Sequence, residues 1–136
     1  MNLPKVLVVE DDLLSIEVIR IVLKDICELD FAENGFKAID YAKEKKYELI
    51  LMDVGLGYGI NGMETTQKIR KIDGYGSTPV VALTAYAMAG DKEKFLSQGM
   101  THYLSKPYEV KDLQNLVKSI LIEINNKDSN NSKENN

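Results

Sequence analysis

The residues best suited to chemistry stand at the ends of apolar runs. Leu49-Ile50-Leu51-Met52 is unbroken hydrocarbon, closes on Asp53, and is followed by glycines at 55, 57, 59 and 62. A short apolar run between turn signals predicts a strand covered on both faces, as in a parallel sheet. Asp53 then stands at the carboxyl end of a central strand, the edge where open α/β sheets bind ligands. By itself such an acid serves equally well as a solvated loop residue or a helix cap. Its neighbours decide the matter. Glu10 and Asp11 follow a first predicted strand, Thr84 a fourth, and Lys106 a fifth, and in a parallel sheet all of these face one edge. Three converging carboxylates repel one another, and at least one pKa rises unless a cation intervenes. A hard divalent ion with oxygen ligands, Mg²⁺ above all, resolves the conflict. Lys106 adds a second positive charge and Thr84 a hydroxyl donor. A carboxylate nucleophile, a divalent ion, a lysine and a hydroxyl are together what phosphoryl transfer to Asp53 requires.

The elements that must hold these residues read off in order. Lys5 to Val9 is rich in β-branched residues and predicts the first strand. Leu13 to Ile26 predicts a helix with Asp12 as its N-cap. Leu29 to Ala32 is a short strand, Phe36 to Lys45 a helix, Leu49 to Met52 a strand, and Met63 to Lys71 a helix. Val80 to Leu83, Asp91 to Gln98 stopped by Gly99, and Thr101 to Leu104 continue the alternation, and a last helix runs from Val110 to about Ile124. Strands and helices alternating five times predict an α/β fold, a five-stranded parallel sheet with helices on both faces. A flavodoxin-like, doubly wound (βα)5 order is the leading topology.

With 136 residues and 44% hydrophobic content the chain has material for one core, assigned here to residues 1–124. Residues 125–136 are Asn, Ser, Lys, Glu and Asp with no apolar side chain, and are expected to form a disordered polar tail. A net charge of −4 argues against a nucleic-acid surface. The single cysteine, Cys27, excludes an internal disulfide framework. No apolar run reaches the length of a signal sequence or a membrane span, so a soluble, cytoplasmic protein is expected.

Four blocks, Val8-Val9-Glu10-Asp11-Asp12, Leu51-Met52-Asp53, Val81-Ala82-Leu83-Thr84-Ala85 and Leu104-Ser105-Lys106-Pro107, resemble in content and spacing the signature of the response-regulator receiver domain of two-component systems. The resemblance covers residues 5 to about 122. It implies that Asp53 accepts a phosphoryl group from a histidine kinase or histidine phosphotransfer protein. It implies that Asp11, Asp53 and the backbone carbonyl of Gly55 hold Mg²⁺, with Glu10 assisting through water. It further implies that Lys106 contacts the phosphoryl group, that Thr84 binds it and couples to the switch aromatic Tyr103, and that the Lys106–Pro107 bond is cis. The loop after Asp53 departs from the family: Gly57 replaces a proline, Asn61 replaces an aspartate, and the segment is one residue longer.

The resemblance points to a stand-alone receiver, a phosphoacceptor rather than a turnover enzyme, whose output comes from docking onto a downstream protein target. The stretch from Thr84 to Asp91 leans towards a phosphorelay, being similar to receivers of hybrid kinases. Leu14 and Ile16 on the first helix, with Tyr103 and Pro107, are the expected partner contacts. On the first helix, Val18, Val22 and Ile26 suffice to cover the sheet, which leaves Leu14, Ile16 and Leu23 in surplus, with Leu23 expected to be buried by the last helix. Two alternatives stand beside this reading. An Mg²⁺-dependent phosphatase of the haloacid dehalogenase type would use the same nucleophile, but needs a second Asp where Gly55 stands. A degenerate receiver would dock without phosphorylation, against the complete set of acids, Thr84 and Lys106.

Overall fold

The computed structural model describes residues 2–85 and 91–134, with side chains described as far as residue 127. Most of the Thr84–Asp91 stretch behind the phosphorelay expectation lies outside the described residues, as do the last two residues of the chain. The elements in chain order are β1 (Lys5–Val9), α1 (Leu13–Leu23), β2 (Glu28–Ala32), α2 (Gly35–Glu44), β3 (Leu49–Asp53), α3 (Gly62–Arg70), β4 (Val80–Thr84), α4 (Asp91–Ser97), β5 (His102–Ser105) and α5 (Val110–Glu134).

All strands pair in parallel, in the order β2-β1-β3-β4-β5. Every residue of β3 and β4 is buried, which is why their sequences show no polar alternation. Odd and even positions of each strand face two different cores. Leu7, Val9, Ile50 and Met52 meet α2 and α3, while Val6, Val8, Leu49 and Leu51 meet α1 and α5. From β1 the chain steps outward to β2, and from β3 it steps the other way to β4 and β5. The carboxyl ends of β1 and β3 therefore flank the point where strand order reverses, a natural crevice for a ligand.

Polar residues start the helices. The Asp12 side chain accepts from the Ser15 backbone N–H at 2.9 Å, as its predicted cap role requires, and Asn34 and Asn61 do the same for α2 and α3. Gly99 follows α4 with φ +96°, a left-handed turn that ends the helix.

One expectation is corrected. The sheet-facing residues of α1 are Ile19 and Leu23, both 0% exposed, with Cys27 just beyond; Val18, Val22 and Ile26 are only half-buried. Leu23 is packed with Leu113, Val117 and Ile120 of α5, the helix expected to bury it. Nearly every position of α1 is apolar, so a rotation by one residue satisfies the pattern equally well, and only packing selects the face. The last helix, α5, continues to Glu134. No Gly or Pro follows Pro107 to stop it, and extending an existing helix avoids the cost of nucleating one.

Candidate functional site

The crevice holds the acids the sequence singles out. Glu10, Asp11 and Asp53 each bring a carboxylate oxygen to within 4.8 Å of the others. Their environments differ. Glu10 is 1% exposed and Asp53 6%, whereas Asp11 lies open to solvent. Asp53 ends β3, one residue past Met52, which pairs with Val9 of β1, so Glu10 arrives opposite it by register alone.

Lys106 closes the group from the far side of the sheet. Its Nζ donates to Glu10 Oε2 at 3.0 Å and stands 3.6 Å from Asp53 Oδ1. Burial and the neighbouring Asp53 carboxylate push Glu10 above the ordinary carboxylate range, while the lysine pulls it back. Burial lowers the Lys106 ammonium, but its hydrogen bond and charge contact with Glu10, and then Asp53, outweigh that and hold it above its ordinary value. Lys106 is positioned by its backbone, whose N–H donates to Thr84 O at 2.7 Å, and a cis peptide joins it to Pro107. The cis bond is as the resemblance implies.

The loop after Asp53 is tied down at several points. Gly55 N–H donates to Asp53 Oδ1 at 3.0 Å, and Gly57 N–H donates to Asp11 Oδ2 at 2.9 Å. Gly62 opens α3 directly against the strand. A Cβ there would stand 2.9 Å from Val54 Cα and collide with the Asp53 carbonyl. Neither tie is visible locally in sequence, because four glycines crowd this loop and nothing nearby marks which of them packs on backbone.

Thr84 is buried at the end of β4, with Ser105 as its strand partner. Tyr103 pairs with Ala82, two residues earlier on the same ladder, and is 40% exposed. On the other flank, Leu14, Val18, Ala85, Lys106, Pro107 and Tyr108 line a cleft of about 380 Å³. Leu14 is 73% exposed, while Ile16 is half-buried and does not line this cleft. Nothing in the sequence marks Tyr108, yet it is packed beside Lys106, and burial raises its phenol.

Comparison with known proteins agrees with this geometry. Residues 6–118 match the response regulator receiver domain family. The receiver domain of the Pseudomonas aeruginosa sensor histidine kinase PA1611, solved with a magnesium ion in its active-site cleft, superposes with a TM-score of 0.77 at 32% identity, covering 86% of this chain and 96% of that one. The Vibrio cholerae chemotaxis response regulator CheY4 gives a TM-score of 0.82 at 25% identity, over 88% and 99% of the two chains. DivK, a polar-differentiation response regulator of Brucella anthropi, is 37% identical over 125 residues, 88% of this chain and 98% of DivK. The Escherichia coli histidine kinase BarA is 36% identical over 113 residues, 82% of this chain; the chain spans only 12% of BarA. On the family match, the five-stranded parallel sheet and the acid cluster in its crevice, this chain belongs to the response regulator receiver domains of two-component signalling.

Proposed function

We propose that Asp53 accepts a phosphoryl group from a phosphohistidine of a histidine kinase or phosphotransfer protein, and that the modified domain signals by docking onto a protein target. The observation that carries this reading is the placement of the Asp53 carboxylate, recessed at the switch point with Glu10, Asp11 and Lys106 around it. An Asp53 oxygen bonds to phosphorus as the donor's P–N bond breaks. Lys106 exchanges its contact with Asp53 for one with the new phosphoryl oxygens, and the Thr84 hydroxyl donates to another of them.

The donor set fits a divalent ion. Three carboxylates against one lysine leave two uncompensated negative charges, and every offered ligand atom is a hard oxygen. Asp11 and Asp53, the Gly55 carbonyl and, through water, Glu10 would hold Mg²⁺, which when bound neutralises charge on the transferring group. PA1611 supports this choice of ion. The phosphatase alternative needs a carboxylic acid at position 55, and the residue there is glycine.

Docking is assigned to the rim of the crevice, where Leu14 and Pro107 line one cleft and Tyr103 stands on the opposite flank. The likeness to DivK over nearly all of its length supports output through the receiver's own surface. Radiolabelled acetyl phosphate with Mg²⁺ tests the reading: Asp53→Asn should take up no label, and Asp12→Asn, whose side chain serves α1 as a cap, should label as the wild type does. Equal labelling of wild type and Asp53→Asn would overturn it.

A further inference from the structure

The face formed by α2 and α3, away from the crevice rim, carries a groove that phosphoryl transfer does not use. Phe36, Ile39 and Lys43 line it from α2, and Lys68, Lys71 and Ile72 from α3 and the residues just after it. Phe36 is 49% exposed, with its ring edge-on to Tyr58. Ile39 and Ile72 form the floor, packed against the core below.

The charges are more informative than the hydrocarbon. The chain carries a net charge of −4, yet three lysines surround this floor. Lys37, Lys45, Lys106 and Lys111 are ion-paired, but Lys43, Lys68 and Lys71 have no acidic partner among the described residues. Asp40, Glu44 and Asp73, the nearest acids in sequence, do not line the groove. Every charged side chain that lines it is therefore positive. The lysines also stand on both banks, Lys43 on one and Lys68 with Lys71, spaced i, i+3, on the other.

We propose that the α2–α3 groove is a docking site for an acidic amphipathic helix of a partner protein, with an apolar stripe on the Phe36–Ile39–Ile72 floor and carboxylates on both sides meeting Lys43, Lys68 and Lys71. A helix laid in a groove places its apolar residues along one line and its flanking residues over the two banks, which is the arrangement these six side chains complement. Matched charge steers the encounter and rejects basic partners. A free anion would leave the apolar floor unused. The floor's recess between two helices suits a partner's ridge better than a flat lipid surface.

The site is independent of phosphorylation at Asp53, so its test needs no phosphodonor. A displayed library of random 16-residue peptides is selected on the immobilised full chain, in parallel with a Lys43→Glu/Lys68→Glu/Lys71→Glu variant. All three side chains are exposed, and unchanged circular dichroism and acetyl phosphate labelling confirm that the variant is folded. Peptides recovered on the wild type should be enriched in Asp and Glu flanking apolar residues at helical spacing. Synthesised singly, they should bind the glutamate variant at least tenfold more weakly and a Lys→Gln triple variant at least threefold more weakly. Raising NaCl from about 50 to about 500 mM should weaken binding, because exposed charges are screened. Recovery of peptides with no acidic bias, or equal binding to wild type and both variants, would overturn the proposal. So would lysine-dependent binding of phosphatidylglycerol vesicles in the absence of any lysine-dependent peptide, which would make the groove a membrane contact.

Discussion

Replacing Gly62 by alanine asks whether the start of α3 truly rests on the phosphoacceptor's backbone. The new Cβ would lie 2.9 Å from Val54 Cα and 3.1 Å from the Asp53 carbonyl carbon, and would press still harder on the carbonyl oxygen. Carbon atoms pack at about 3.5–4.0 Å, so α3 or the end of β3 must give way by about 0.5–1 Å. Each of these neighbours is backbone, and no rotamer change relieves the contact. Overpacking of this kind costs about 1–3 kcal/mol. Alanine recovers part of that through helix propensity, at most about 1 kcal/mol. The net loss should be about 1–2 kcal/mol, a fall of about 0.5–1 M in the urea midpoint. Function should suffer more than stability, because a displacement of about 1 Å at a reacting group can cost about 100-fold in rate. Labelling by acetyl phosphate at saturating Mg²⁺ should therefore slow at least tenfold. Gly76→Ala is the control: nothing lies within 4 Å of a Cβ there, and both readouts should stay at the wild-type value. If Gly62→Ala keeps its urea midpoint and labels at the wild-type rate, the close approach of α3 to Asp53 is wrong.

Three further outcomes are expected. Leu14→Asp changes a side chain that is 73% exposed, so it should leave the fold and acetyl phosphate labelling intact while slowing transfer from the cognate phosphohistidine donor at least several-fold; unimpaired transfer would move the contact to the Tyr103 flank. Thr84→Ala should still accept phosphate on Asp53 but respond weakly in partner binding, since the hydroxyl that would read the phosphoryl oxygens is gone; a normal response in a pull-down on the target would break the assignment. Burial pushes the Cys27 thiol up to about 11 from 9.0, so iodoacetamide at mildly alkaline pH should modify the native protein far more slowly than the urea-unfolded chain. Because the folded thiol holds its proton longer than the unfolded one, the contribution of Cys27 to stability is complete below pH 9.0 and is lost as pH rises through about 11. In urea titrations across that range, Cys27→Ala should show a smaller loss than the wild type.

Much of the architecture was legible because burial writes itself plainly into certain strands. In β3 and β4 both faces are covered, so hydrophobic runs stand without interruption and the acid or hydroxyl that ends each one is conspicuous. The convergence of Glu10, Asp11, Asp53, Thr84 and Lys106 then follows from parallel pairing alone. The flavodoxin-like strand order that the sheet adopts follows less directly, from crossover handedness, because nothing local in β2 says which neighbour it will meet. In α1 the difficulty was an excess of signal: with apolar residues at almost every position, the choice of Ile19 and Leu23 over Val18 and Val22 belongs to the sheet and to α5. In α5 it was a lack of signal, since asparagine and serine lower helix propensity without forbidding the helix. The Gly57 tie to Asp11 and the Gly62 contact with Asp53 span distant or backbone partners, and residue types do not report such pairings.

The glycine loop behaves as an arch standing on two abutments. One foot is held by Asp11 through Gly57, the other by the seat of Gly62 on β3, and the crown carries Tyr58, 70% exposed, and Gly59 at φ +75°. The crown leans outward, where Tyr58 meets the Phe36 ring edge-on at a centroid distance of 6.5 Å. The height of such an arch can change without altering its span. A residue gained or lost between the two feet lifts or lowers the crown and leaves Asp53 where it was. That span therefore marks where a peptide epitope or a reporter residue could be spliced into the protein at little expense to the carboxylates below.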